Sequence, residues 1–208
     1  MNAKNKKNKV VKSWVHDQSN DPYVRLAKKE GYRSRAAYKL LDIHQKYNIL
    51  SSGNRVIDLG CAPGSWSQVA LELVGNNGYV LGVDLLPIKD LLNLNFIQGD
   101  FTTDEIITQI ISYSDATWDV VLSDMSPNLT GIKMVDQARS VYLIELVLDF
   151  AKQYLKTNGF CIMKAFYGGE FAKLQLVAKS IFKNCAIYKP DSSRSKSSEV
   201  YLICQNKL

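Results

Sequence analysis

The segment VIDLGCAPGSWSQ, Val56–Gln68, changes character at its centre. Its first part is apolar at Val56, Ile57 and Leu59, a near-continuous run that suits a strand covered on both faces. It then turns through Gly60-Cys-Ala-Pro-Gly64 into a helical segment, Ser67–Val74. A strand, a glycine loop and a helix in that order begin an α/β fold. Outward from this unit the same alternation recurs. Tyr79–Asp84, Asn95–Asp100, Trp118–Asp124, Phe160–Lys164, Cys185–Lys189 and Glu199–Cys204 read as strands, which with Val56–Gly60 makes seven. Asp104–Ser112, Asp136–Lys156 and Glu170–Phe182 read as the helices between them. About ten residues join the last two strands, too few for a crossover helix, so that pair is expected to be antiparallel. Upstream, Asp21 caps a helix to Glu30 with Pro22 at its first position. Ser34 is expected to cap a second helix to about Tyr47, whose inward stripe is Ala37, Leu40, Leu41 and Ile43 or His44. The expected fold is a single Rossmann-like α/β domain. It has a seven-stranded, mostly parallel sheet with one antiparallel strand and helices on both faces.

Composition sets the outer limits. The 208 residues suit one domain, and 46% apolar with 22% charged residues excludes a disordered or fibrous chain. No apolar stretch is long enough to span a bilayer, and no apolar segment follows the lysine-rich start as a signal peptide requires. Cys61, Cys161, Cys185 and Cys204 are scattered, with no C-x-x-C pair and only two histidines, which points to a reducing, cytoplasmic setting and to no metal site. Charge is divided along the chain: residues 1–39 carry +8, residues 40–182 carry −5 and residues 183–208 carry +3. Basic ends on an acidic body suggest a polyanionic partner, since Lys and Arg neutralise phosphates and release counterions. Residues 1–20 read as a basic flexible tail and residues 21–208 as the folded domain.

In such a sheet a ligand binds beyond the carboxyl ends of the strands. Asp84, Asp100 and Asp124 each close an early strand there. The loop Gly60–Gly64 lets backbone approach a ligand, but it is G-x-x-x-G and Pro63 removes an amide that a pyrophosphate would need. The ligand is therefore read as a nucleoside without a diphosphate, which speaks against a nicotinamide oxidoreductase. Asp84 is placed to accept from the ribose hydroxyls and Asp100 from an adenine amino group. S-adenosylmethionine meets these terms, and its cationic sulfonium suits an acidic pocket.

Seven stretches in order over about Asp21–Gln205 resemble the FtsJ/RrmJ family of RNA ribose 2′-O-methyltransferases. They are RSRAAYKL (Arg33–Leu40), VIDLGCAPGSWSQ (Val56–Gln68), VDLLP (Val83–Pro87), QGDF (Gln98–Phe101), SDMSPNLTG (Ser123–Gly131), MKAFYGGE (Met163–Glu170) and KPDSSRSKSSEVYL (Lys189–Leu202). Ser65 stands where the family pattern has Gly, and DMSPNLTG replaces DMAPNxSG. The resemblance implies the class I methyltransferase fold, S-adenosylmethionine as cofactor, and Gly64, Trp66, Asp84, Asp100 and Asp124 as cofactor-binding residues. It implies a catalytic tetrad of Lys39, Asp124, Lys164 and Glu199. It also implies ribosomal RNA of the large subunit as partner, with a uridine target and the assembled subunit as the form that is read. No membrane or obligate protein partner is expected, and the chain is expected to act as a monomer. Transfer RNA, a messenger RNA cap, or a non-enzymatic role in ribosome assembly stand as alternatives.

The chemistry needs a base, because a ribose hydroxyl is almost wholly protonated at neutral pH. His16 and His44 do not fall at strand ends, whereas Lys164 ends an apolar strand next to Asp124. An ordinary lysine, with a pKa near 10.4, loses its proton at about pH 7.5 at a cost of roughly 4 kcal/mol. Burial and a second ammonium, Lys39, reduce that cost, while Asp124 opposes it and is read as orienting the base. Glu199 is expected to position Lys39 or a substrate hydroxyl. Arg33, Arg35, Lys39, Lys189, Arg194 and Lys196 are read as a groove for RNA phosphates. Tyr38, Phe166 and Tyr167 are candidates for stacking on an unpaired base.

Overall fold

The first strand runs over Arg55–Leu59 (β1), and its burial is almost complete because sheet and helices cover it on both sides. A computed structural model describes residues 21–114, 117–128, 130–168, 171–194 and 197–208. The tail expected over residues 1–20 lies outside them. The remaining strands are Tyr79–Asp84 (β2), Leu94–Gln98 (β3), Trp118–Ser123 (β4), Leu155–Phe166 (β5), Phe182–Tyr188 (β6) and Glu199–Lys207 (β7). The helices are Pro22–Glu30 (α1), Ala37–Tyr47 (α2), Ser65–Val74 (α3), Asp104–Ser114 (α4), Lys133–Tyr154 (α5) and Phe171–Ile181 (α6).

The sheet order is β3-β2-β1-β4-β5-β7-β6. Strands β3 to β5 are parallel, and β7 runs antiparallel to both β5 and β6. The expected antiparallel pair is therefore present, and β7 enters the sheet between β5 and β6 rather than at its edge. Period-two alternation sorts the strand residues onto two faces. Ile57, Leu81, Val121, Met163 and Leu202 pack beneath α4, α5 and α6. Val56, Val80, Leu122, Ile162 and Tyr201 pack beneath α2 and α3. Among the described residues no helix is long and apolar enough to cross a membrane.

Local boundaries follow identifiable chemistry. Asp21 caps α1 as expected: its side chain accepts from the Tyr23 amide at 3.0 Å, and Gly31, at φ 81°, ends the helix in the left-handed region. Ser34 does not cap α2. The helix begins only at Ala37, behind Ala36, while Ser34 Oγ shares a 2.7 Å hydrogen bond with Ser65 Oγ and accepts from the Ala36 amide. In α2, Ala37, Leu40 and Ile43 are buried, while Leu41 and His44 are only partly so; His44 Nδ1 accepts from the Leu50 amide at 3.3 Å. Strand β3 stops at Gln98, so Asp100 stands in the turn beyond it rather than on the strand. Strand β5 starts earlier than its apolar run because Asn158, at φ 63°, lets the chain turn and continue in the sheet.

Leu122 is fully buried in the central strand β4. Leu122→Ala is expected to lower stability by about 2–5 kcal/mol, read as a shifted urea midpoint at unchanged slope.

Candidate active site

Strand order reverses between β2-β1 and β4, and there the chain opens a cavity of about 690 Å³. That volume lies inside the range of roughly 300–1,000 Å³ typical of small-molecule pockets. Asp84, Asp100 and Asp124 all line it, with Leu85, Phe101 and Met125 as apolar wall. Asp84 is fixed by backbone: its Oδ2 accepts from the Ala62 amide and its Oδ1 from the Leu86 amide, each at 2.8 Å. Each oxygen keeps a further lone pair. Asp100 uses Oδ1 for the Thr102 amide and hydroxyl, at 2.9 and 2.7 Å.

Two positions of the loop after β1 require glycine. Gly60, at φ 74°, packs so closely under Met125 that a Cβ there would lie 2.0 Å from the methionine Cγ. Gly64, at φ 99°, has the Arg33 guanidinium against it, which bonds the Pro63 carbonyl at 2.8 Å and the Asp90 carbonyl at 2.7 Å. Two of the expected cofactor residues are not in the cavity wall. Gly64 forms the entry to α3, and the Trp66 ring is buried, stacked near Tyr201 with its Nε1 donating to the Ala36 carbonyl at 2.9 Å. The Gly64 amide donates to the Cys61 carbonyl at 2.6 Å, and the first amides of α3 behind it have no partner within the helix.

Beneath the same loop lies Asp58, whose Oδ2 accepts from Ser67 Oγ at 2.7 Å while its buried Oδ1 has no partner among the described residues. Burial, against the Ser67 hydrogen bond and with help from Asp124 and Asp84, raises its carboxyl to about 7. Burial, followed by the charges of Asp58 and Asp84, likewise pushes the Cys61 thiol far up, so this cysteine packs as a neutral group.

Beside the cavity the four expected catalytic residues meet. Ser123 pairs with Met163, so Asp124 and Lys164 follow as neighbours across β4 and β5, and Lys164 stands opposite Tyr201 on β7. Residues opposite one another project to the same face, and Glu199 joins that face two residues before Tyr201. Lys164 Nζ donates to Asp124 Oδ1 at 2.8 Å and to the Asp124 carbonyl at 2.7 Å, with Glu199 Oε2 at 3.9 Å. From α2, Lys39 contacts both Glu199 oxygens at 2.7 and 2.9 Å. Burial alone would raise the Glu199 carboxyl; the Lys39 charge and hydrogen bond, with Lys164 and Ser193, outweigh it and hold it below its ordinary range.

Tyr201 is a member of this cluster that sequence reading missed, because it sits in an apolar strand and looks like core. Its hydroxyl donates to Asp124 Oδ1 at 2.6 Å. Burial, then the carboxylates of Asp124 and Glu199, push the phenol well above its usual range and keep it a donor. Ser193 was also missed; its hydroxyl donates to Glu199 Oε1 at 3.0 Å.

A smaller cavity of about 290 Å³ opens on the α2 side of the cluster, lined by Ser34, Arg35, Lys39, Arg194 and Glu199. Arg35 is anchored to Asp21 and to the Ser192 carbonyl, while Arg194 is half exposed with its Nε 3.9 Å from Asp21. Lys189 donates to the Ser197 carbonyl, and Lys196 lies outside the described residues. Of the aromatic candidates, Tyr38 is buried with its hydroxyl on Glu30, Phe166 is partly buried, and Tyr167 is exposed, resting on Phe171.

Comparison with known proteins places this geometry in context. Residues 32–207 match the family model of the FtsJ-like methyltransferases. The chain is 47% identical to the ribosomal RNA large subunit methyltransferase E of Azoarcus sp. strain BH72, over 95% of its own length and 97% of that protein's. To the protein of the same name from Coxiella burnetii it is 48% identical, over 92% and 93%. Among solved structures, a chain assigned as a ribosomal RNA methyltransferase from Plasmodium falciparum superposes with a TM-score of 0.76 at 33% identity, covering 85% of this chain and 99% of that one. Fibrillarin from Aeropyrum pernix, with natively bound S-adenosyl-L-methionine, shares the fold at a TM-score of 0.58 and 16% identity, covering 83% of this chain and 75% of that one.

The Asp58 environment has a measurable signature. A carboxyl whose native pKa is raised to about 7 destabilises the fold progressively as pH rises from its unfolded pKa through that value. Asp58→Asn lacks this penalty, so between pH 5 and 8 its stability should gain on that of the parent by on the order of 2–3 kcal/mol. Parallel pH–stability curves would contradict the assignment.

Proposed function

The chain belongs to the FtsJ-like methyltransferase family and is an S-adenosylmethionine-dependent enzyme; from that premise we propose that it methylates a ribose 2′-hydroxyl of large-subunit ribosomal RNA. Bacterial relatives at 46–48% identity over nearly their whole length are named as ribosomal RNA large subunit methyltransferases. The basic ends of the chain support a polyanionic partner, and by resemblance the target is a uridine on the assembled subunit.

The residues present fit the cofactor. Asp84 and Asp100 retain free lone pairs for hydroxyl and amino donors, Leu85 and Phe101 offer apolar surface to a base, and three carboxylates favour a cation. Trp66 contributes through its backbone at the start of α3, and Gly64 through the left-handed turn that leads into that helix. When bound, S-adenosylmethionine supplies a methyl group activated by a positively charged sulfur.

Lys164 carries the reading. As a neutral amine it has two N–H donors and one lone pair, and Asp124 offers two acceptors, Oδ1 and the carbonyl. Both donors satisfied there, the lone pair turns to the remaining direction, where a ribose hydroxyl can enter hydrogen-bond range and yield its proton. Tyr201 holds the second lone pair of Asp124 Oδ1, which keeps that carboxylate in place. Glu199 is held by Lys39 and Ser193, and so presents a fixed negative charge within 3.9 Å of the amine. That charge stabilises Lys164 once it has taken the proton. Arg194, at the neighbouring cleft, is placed to meet a backbone phosphate.

Lys164→Ala is expected to cut methyl transfer to under-methylated large ribosomal subunits by roughly 10²–10⁴-fold. Cofactor affinity measured by calorimetry should stay within a few-fold. Turnover at the parent rate would remove Lys164 from the role of base. For RNA binding, Arg194→Ala should weaken affinity across sequences and reduce the slope of log K against log salt by about 0.7–0.9.

A further inference from the structure

Three of the four cysteines stand in one row across the sheet. Cys161 on β5 is opposite Cys204 on β7, and Cys204 is opposite Cys185 on β6. Side chains directly opposite on antiparallel strands project to the same face. All three accordingly join the core beneath α4, α5 and α6. All are free thiols. Opposed Cβ atoms on paired strands lie about 4.5–5.5 Å apart, and a disulfide needs about 3.5–4.5 Å, so a small approach of either pair closes the gap. Among the described residues no group of His, Cys, Asp or Glu is arranged to hold a metal ion.

The row is not symmetric. Cys161 and Cys204 are fully buried, whereas Cys185 is only partly so and lies on β6, the edge strand. An edge strand has one neighbour and shifts more cheaply than a central one. The chemistry points the same way. A hydrogen bond from the Cys204 thiol, against burial and with the charge of Lys179 on α6, lowers the Cys185 pKa. That same bond, with burial, keeps Cys204 protonated. Cys61, beside the cofactor cavity, is pushed upward by burial and by the charges of Asp58 and Asp84, which outweigh the hydrogen bond from Ser67.

We propose that Cys185 and Cys204 form a dithiol site that hydrogen peroxide converts reversibly into a cross-strand disulfide. The Cys185 thiolate attacks the peroxide, an S–O bond forms as the O–O bond breaks, and the departing hydroxide takes a proton to become water. Cys204 sulfur then attacks the Cys185 sulfenic acid. The S–S bond forms, the S–O bond breaks, and the hydroxyl leaves as water with the Cys204 proton. Two thiols are oxidised by two electrons and one peroxide is reduced to two waters. The link would clamp the edge strand to β7, the strand that carries Glu199 and Tyr201.

The test uses the full chain, reduced, freed of reductant and exposed to hydrogen peroxide. Remaining thiols are then blocked with iodoacetamide in denaturant, and the protein is digested without reduction for mass spectrometry. The expected product is one species joining the Cys185 and Cys204 peptides, abolished by dithiothreitol, with Cys61 and Cys161 recovered alkylated. Free Cys185 should disappear at least roughly tenfold faster than free Cys61. In Cys185→Ser, Cys204 should stay unoxidised at the same dose. A Cys161–Cys204 link, Cys185 accumulating as sulfinic acid without a link, or Cys61 reacting first would each overturn the proposal.

Discussion

Four largely buried charges beside the cavity alternate in sign, and the site depends on their being taken together. Lys39 holds Glu199, Glu199 faces Lys164, and Lys164 holds Asp124. Each of these side chains is less than a fifth exposed. Removing such charges from water is costly, and the cost is offset only while every one has its partner; loss of one leaves another uncompensated. The chain of charges also joins four elements that are remote in sequence, α2, β4, β5 and β7. It therefore binds the helical face to the strand ends.

Much of this was legible in the sequence because strand ends are legible. A short apolar run closing on a carboxylate places that carboxylate at the sheet edge, and Asp84, Asp100 and Asp124 do meet around one cavity. Lys164 likewise ends an apolar strand, whereas the tetrad that includes Glu199 is implied by the family resemblance. What sequence could not supply is which strand lies beside which. Periodicity tells which face a residue takes and is silent about its neighbour on the next strand. Tyr201 is the consequence: within EVYLIC it is indistinguishable from core, and only the pairing of β5 with β7 sets it against Asp124. The cysteine row was hidden in the same way, being three distant positions until β7 enters between β5 and β6.

The helix cap misplaced at Ser34 had a different source. Ser34 has the residue type of a helix cap, but a serine near another serine can spend its hydroxyl elsewhere, and here it binds Ser65. Trp66 is a different case: the resemblance implies it by position within a motif, which does not separate a side chain from its backbone. Its ring serves the core between α2 and β7.

The contact between Gly60 and Met125 ties the loops after β1 and β4 into one wall. The two partners are unequal. Gly60 is bound by its left-handed backbone as well as by the close approach, so that side of the wall has no freedom to vary. Met125 is unbranched and has several rotatable bonds, and it can be exchanged for residues of other length without disturbing the loop beneath it. Any tuning of the cavity's depth, by evolution or by an engineer, has one adjustable screw on this wall, and it is the methionine.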